Sequence, residues 1–477
     1  MSRTAVSTGA LIVASLFTNR GLSAEAEAAF VRVSPRDPRY LELSDGKPYI
    51  PIGLNVIHPR TATDTAAGLA QMEQWMKALA DNGGNHLRVW LSAGFFDVEH
   101  AKSGVYDEEQ AKRVDALLAL GRNLGIRIKM TIEHFREIDP ASPRKTWALK
   151  ALHHTSQGGI AASTKDWFDS QASREQFKRK LAWLAARYGS DPIVYGWELW
   201  NEVNCVHGGD YMAWTELMLG ELRRLFPQNL AMQSLGSYDG DWARNAYRRL
   251  ARMKGNDVAQ VHRYLDLGAR LEVCHGPVDV LAADAVRELL AMKPGRPVIL
   301  AESGAVERSH SGPFKLYAKD KAGIILHDVL FAPFFAGAAG CGQCWHWDVY
   351  VAANDLWWQF GRFAEAVKGL DPPAEGFEPA MLEHPRLRVY ALKGKHTTLL
   401  WCRDKENTWM SELRDAHPPD EVRGATLDLS PLGDQATGKE CVAYDPWENR
   451  TTPLALKAGT AVLPPFRRSL VIRLTAR

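Results

Sequence analysis

Cysteine is scarce. Six cysteines in 477 residues are too few for a fold built on disulfides. A charge of one sign is lacking too. Lysine and arginine number 58 against 56 acidic residues, a formal net charge of +2, so the composition carries no electrostatic footprint of a nucleic-acid or other polyanionic partner. No apolar run approaches the roughly 20 residues that cross a bilayer. The first candidate strand is not followed by a Gly-x-Gly-x-x-Gly turn, which argues against a dinucleotide-binding open sheet. Tryptophan, by contrast, is plentiful, with 16 residues. Flat apolar indoles suit flat apolar ligand faces such as those of pyranose rings. A hydrophobic fraction of 46% and a charged fraction of 24% belong to a folded globular chain rather than a disordered one.

Residues 1–24 read as a secretory signal: Arg3, then the apolar stretch Ala10 to Phe17, then Leu22-Ser-Ala24 as a small-residue cleavage site. The competing reading is a plain N-terminal extension. The signal predicts a secreted or periplasmic protein. Cys402 and Cys441 both fall in the C-terminal segment and could pair after export. Cys341-Gly-Gln-Cys344 stands alone, without a second pair or a histidine at zinc-finger spacing, and is expected to be two small buried thiols.

From residue 30 to 372, short β-branched or apolar runs alternate with helix-period segments. The runs begin at Tyr49, His86, Arg127, Ile193, Leu230, Val258, Pro297 and Ala339, and a helical pattern follows each. Eight such units predict a (β/α)8 barrel. After Pro372-Pro373 the texture becomes short strands broken by Gly, Pro and Asp, which predicts a small antiparallel β-sandwich over residues 375–477.

Barrel active sites occupy the C-terminal ends of the strands. The residues there form a consistent set: Asn55, Arg88, Glu133-His134, Asn201-Glu202, His262, Tyr264, Glu302, Trp345 and Trp347. Two carboxylates across one barrel mouth are the apparatus for cleaving a glycosidic bond. One protonates the leaving oxygen and the other attacks the anomeric carbon. Strands four and seven lie opposite each other, so Glu202 and Glu302 can approach to about 5–5.5 Å, the spacing of configuration-retaining enzymes.

Trp197-Glu-Leu-Trp-Asn-Glu202 and Ile299-Leu-Ala-Glu302 resemble the clan A glycoside hydrolases, most nearly the family 5 cellulases and mannanases. The resemblance implies Glu202 as acid/base and Glu302 as nucleophile. It further implies Asn201 on the sugar 2-hydroxyl, Arg88 beside the nucleophile, His262 and Tyr264 as the sixth-strand His-x-Tyr, and Trp347, with Trp345 as competitor, as the floor under the cleaved sugar. No metal or organic cofactor is implied. Val203-Asn204 departs from the proline that often follows the acid/base, which leaves the sugar open between mannan, glucan and galactan.

Asn55, His134 and Trp147 complete the expected substrate contacts. Trp147 comes from the irregular stretch 135–163, which is long enough to wall a cleft. Phe95 to Asp97 and Asn204 to His207 are weaker candidates. Glu198, two turns of alternation before Glu202, is read as a buried structural carboxylate. Trp401, Trp409 and Trp447 serve either packing, the favoured reading, or a carbohydrate-binding surface. Alternatives to hydrolysis are a transglycosylase on the same site and a non-catalytic carbohydrate-binding protein.

Overall fold

The computed structural model describes residues 29–60, 64–134, 136–141, 150–436, 439–457 and 459–476. The predicted signal segment 1–24 and Trp147 lie outside the described residues.

Strands and helices alternate as expected. The barrel strands are Gly53–Asn55, His86–Trp90, Arg127–Glu133, Val194–Trp200, Leu230–Met232, Ala259–Leu265 and Val298–Ala305. Every residue of the second, third and fourth is buried, because helices cover the outside of a parallel barrel and side chains fill the inside. The first five strands form one parallel sheet, and the sixth and seventh form a second. Backbone bonds join the two sheets where they meet: Asp257 N–H donates to Ala231 O at 2.8 Å, and Tyr238 N–H donates to His262 O at 2.8 Å.

The eighth strand departs from expectation. Residues 339–347 form no regular strand, only a parallel bridge between Ser303 and Cys344. The segment still completes the wall, since Gln343 N–H donates to Leu300 O and Asn55 N–H to Cys344 O. It then turns into a π-helical stretch, Trp347–Ala352. The first strand is shorter than expected, because Pro48–Tyr49 joins a small N-terminal antiparallel sheet with Val31–Val33 and Leu41–Leu43.

Helix ends carry local capping signals. Asp107 accepts from the Glu109 and Gln110 amides at the start of Glu108–Leu124, and Gly125 ends it at φ 70°. The helical segment after the third strand is two helices, Thr164–Asp169 and Gln171–Tyr188, because Ser170 turns extended and caps the second.

The C-terminal strands form a six-stranded antiparallel sheet facing a three-stranded one. Strand alternation divides the larger sheet's work. Val389, Ala391, Leu400 and Cys402 face the smaller sheet. Tyr390, Leu392, Leu399 and Trp401 face the barrel's core. The barrel helix beneath, Ile324–Phe335, is buried at every residue. Arg403 Nε, itself buried, donates to Asp328 Oδ1 of that helix at 2.7 Å. Trp401 and Trp409 are buried, and half-buried Trp447 packs on the His327 ring at 4.5 Å. All three indoles therefore pack.

The pairing of Cys402 with Cys441 that export would have allowed is not made, and both thiols are free. Cys402 is in register with Leu470 and Cys441 with Leu474 on the strand between them. Four residues of offset on opposite sides of a strand, about 13 Å along it, are beyond disulfide reach. Cys341 and Cys344 are the buried thiols expected, and burial pushes each up to about 12.

Candidate active site

The C-terminal strand ends open into a cavity of about 360 Å³ lined by Trp90, Asn201, Glu202, Tyr264, Glu302, His310, Trp345 and Trp347, among others. Arg88 organises its floor. Its guanidinium is fully buried and donates through Nη1 to Glu302 Oε2 at 2.7 Å and to Asn55 Oδ1 at 3.1 Å. Nε and Nη2 grip Glu198 at 3.0 and 2.8 Å, and Nη2 also donates to Asn201 Oδ1 at 2.5 Å. Burial alone would weaken the Arg88 charge, but the carboxylates of Glu198 and Glu302 outweigh it and strengthen its hold on the proton.

Glu198 is a buried structural carboxylate, as expected. Burial would push it up, but Arg88 and Lys129 hold it well below the usual carboxylate range. Burial in turn brings Lys129 down to about 8, against the pull of Glu198.

The two candidate carboxyls are placed unlike each other. Glu302, ending the seventh strand, accepts from Arg88 and from the Tyr264 hydroxyl, the latter at 2.6 Å. Both contacts fix the position of the carboxylate. Glu202 follows the fourth strand at φ 50°, ψ 52°, a left-handed turn uncommon for a residue with a side chain and frequent at functional sites. Its amide donates to Ser234 Oγ at 3.1 Å. His262 Nδ1 lies 2.8 Å from Glu202 Oε1 and 3.7 Å from Glu302 Oε1. Burial, opposed by the His262 hydrogen bond and reinforced by the nearby Glu302 charge, pushes the Glu202 carboxyl above its ordinary value. One carboxyl oxygen from each glutamate and one His262 nitrogen lie within 4.8 Å of one another.

Those three groups are close enough to hold a cation. So are Glu99, Glu133 and His153, but there the buried Lys180 ammonium contacts both carboxylates, Glu99 at 3.1 Å.

Of the predicted site residues, the structure brings Asn201, Glu202, Tyr264, Glu302, Trp345 and Trp347 to the cavity wall, with Arg88 and His262 directly behind. Two others do not reach it. Asn55 is fully buried, and its amide donates to the carbonyls of Ala301, Gln343 and Cys344 at 3.2–3.3 Å. It closes the barrel between its first, seventh and eighth strands instead of meeting a ligand. His134 lies beneath Trp90, stacked at 4.8 Å, with Nδ1 2.5 Å from Ser92 Oγ; burial brings its ring down to about 3.

Sequence reasoning missed Trp90, Arg60 and His310. Trp90 had a signal, since it stands two residues from Arg88 on one strand and so shares its face. Arg60 and His310 come from loops without a pattern to read.

A glycosyl hydrolase family 5 cellulase model matches residues 47–327. The chain belongs to glycosyl hydrolase family 5. Mannan endo-1,4-beta-mannosidase 3 of Oryza sativa subsp. japonica is 23% identical over 396 residues, 77% of this chain and 80% of its own. Two solved structures share the fold. The endo-1,4-beta-mannanase of Rhizomucor miehei aligns with TM-score 0.50 and 17% identity over 70% of this chain and 99% of its own. A family 5 glycoside hydrolase from Bacteroides vulgatus ATCC 8482 aligns with TM-score 0.54 and 14% identity over 94% and 93%. This family 5 member is a retaining β-glycoside hydrolase acting on O-glycosyl bonds.

Proposed function

We propose that the enzyme cleaves a β-linked, mannan-like polysaccharide by double displacement, with Glu302 as nucleophile and Glu202 as acid and then base. The observation that carries this is the pair of carboxyls with oxygens within 4.8 Å across one cavity, Glu302 held by Arg88 and Tyr264 and Glu202 raised in proton affinity by burial. Mannan is favoured by the curated relative, a mannan endo-1,4-beta-mannosidase.

In the first step Glu302 attacks the anomeric carbon while Glu202 gives its proton to the leaving oxygen. Arg88 and Tyr264, both bonded to the Glu302 carboxylate, fix its orientation before attack. Trp345 and Trp347 offer the apolar wall for the sugar, and Asn201, held by Arg88, offers its amide. Esterification removes the Glu302 charge. The like charge that raised Glu202 is then gone, so its affinity for a proton falls. Glu202 now takes a proton from water, and that water attacks the anomeric carbon from the face the leaving group left. Two inversions give net retention.

The test is the pair of variants Glu302→Ala and Glu202→Ala on mannan oligosaccharides. Each is expected to lose hydrolysis by a factor on the order of 10⁴ or more. On a 2,4-dinitrophenyl β-mannoside, whose leaving group needs little protonation, azide should restore turnover of Glu302→Ala with an inverted glycosyl azide and of Glu202→Ala with a retained one. Full activity in either variant, or interchanged stereochemistry, defeats the assignment. Export is a further part of the proposal, supported by the pattern of residues 1–24 alone; the N-terminal sequence of protein recovered from the medium tests it.

A further inference from the structure

The loop after the seventh strand carries an ordered histidine with no role in the chemistry above. His310 lines the cavity beside Glu202 and Tyr264, with its ring edge-on to Tyr264 at 5.0 Å. Its Nδ1 lies 2.9 Å from Asp266 Oδ2. Asp266 is itself buried, and its other oxygen accepts from the Gly268 and Ser309 amides at 2.7 and 2.8 Å. A carboxylate so engaged can take a proton bond from Nδ1 only, which leaves Nε2 of the neutral ring as an acceptor. Nε2 points toward the Ser237 hydroxyl at 3.3 Å, a long contact for an O–H donor.

The backbone is bent to present this ring. Ser309 and His310 are consecutive left-handed residues at φ 60° and 57°, a conformation uncommon for residues with side chains. Asp266 holds both of them, through the Ser309 amide and the His310 ring.

Position decides what the ring would meet. The indoles of Trp345 and Trp347 form the wall for the sugar attacked by Glu302. His310 leans on Ser237 in the loop after the fifth strand. That loop packs on the Glu202 loop, where the Gly236 amide donates to Asn204 Oδ1 at 2.7 Å. This is the acid's side of the cavity, where the departing oxygen and its sugar must lie.

We propose that His310, set by Asp266, accepts a hydrogen bond from a hydroxyl of the leaving sugar and so forms a leaving-group subsite. The inference rests on Glu202 being the acid. His310 is a substrate-binding residue in this scheme, and Asp266 is a positioning residue acting through it.

The experiment compares two substrates that differ only in the leaving group: β-1,4-mannotetraose, and a 2,4-dinitrophenyl β-mannoside, which has no leaving sugar and needs little protonation. His310→Ala is expected to lose about tenfold or more in kcat/KM on the oligosaccharide, about 1.4 kcal/mol per tenfold, and less than about threefold on the aryl glycoside. Asp266→Asn reverses the ring's tautomer preference and should show the same selective loss, with both proteins' melting curves recorded to confirm folding. Equal losses on the two substrates, or none on the oligosaccharide, overturn the proposal. If the wild-type enzyme prefers another β-linked oligosaccharide, the mannan reading fails. The same comparison run on that oligosaccharide and its matching aryl glycoside still decides the role of His310.

Discussion

At the residue scale, the site works by giving two identical side chains unlike surroundings. Glu302 has a cation and a phenol on its oxygens; Glu202 has burial, a neighbouring negative charge and one histidine. The pH profile should report this. Glu202 must carry its proton for the first step, so kcat/KM falls as pH rises through its raised pKa. His262 opposes that rise, while Glu302 supports it. Replacing His262 with Phe removes an opposing influence, so the alkaline limb is expected to move to higher pH. A limb that stays or moves lower in the variant contradicts the arrangement. Much of this scale was legible in the sequence, because strand ends in a barrel converge and Asn-Glu with a later Glu is a specific pair. Asn55 and His134 also sit near strand ends, yet one stitches backbone carbonyls and the other stacks under an indole. Strand position gives the end of the barrel and not the depth of the side chain.

At the scale of elements, the seventh strand carries more than its nucleophile. Gly304, two residues beyond Glu302, has φ 140°, and a Cβ there would stand 2.7 Å from the Tyr317 hydroxyl. That hydroxyl cannot yield easily. It accepts from the Ala305 amide at 2.5 Å, lies 3.2 Å from His346 Nδ1, and its ring stacks on Tyr350 at 3.9 Å. Gly304→Ala is therefore expected to cost about 1–3 kcal/mol of stability and to lower kcat by tenfold or more, as the strand shifts Glu302 against Arg88. Thermal melts and kcat measured on one preparation check both parts. The eighth strand shows why some elements escaped prediction. Residues 339–347 have the apolar texture of a strand but make one bridge, since Gly340 and Gly342 lie against Pro51 and the Val329 carbonyl with no room for a Cβ. Pattern detects apolar alternation; it does not detect how closely two backbones must pass.

For the whole molecule, the barrel and the C-terminal sheet share a core. The helix Ile324–Phe335 has no solvent face, and Trp401 lies among Phe331, Phe335 and Tyr390 at 5.2–6.1 Å. Trp401→Ala should cost about 3–5 kcal/mol, read as a lower denaturation midpoint, while the folded fraction keeps its kcat because the site lies elsewhere. A variant of unchanged stability would mean that the sheet is only tethered to the barrel. The sequence signalled this region through its change of texture after Pro372-Pro373. The contact itself was hidden, because a largely apolar helix reads the same whether barrel or sheet covers it.

The break in the barrel wall has a consequence for the chemistry. Glu202 follows a strand of the five-stranded sheet and Glu302 ends a strand of the two-stranded one. The jaws of the reaction thus belong to separate plates, clasped at this end by Arg88 reaching one way to Glu302 and His262 reaching the other way to Glu202. The distance that selects the stereochemical outcome is thus a spacing between two staves, bridged by the side chains that also bind the reacting carboxyls.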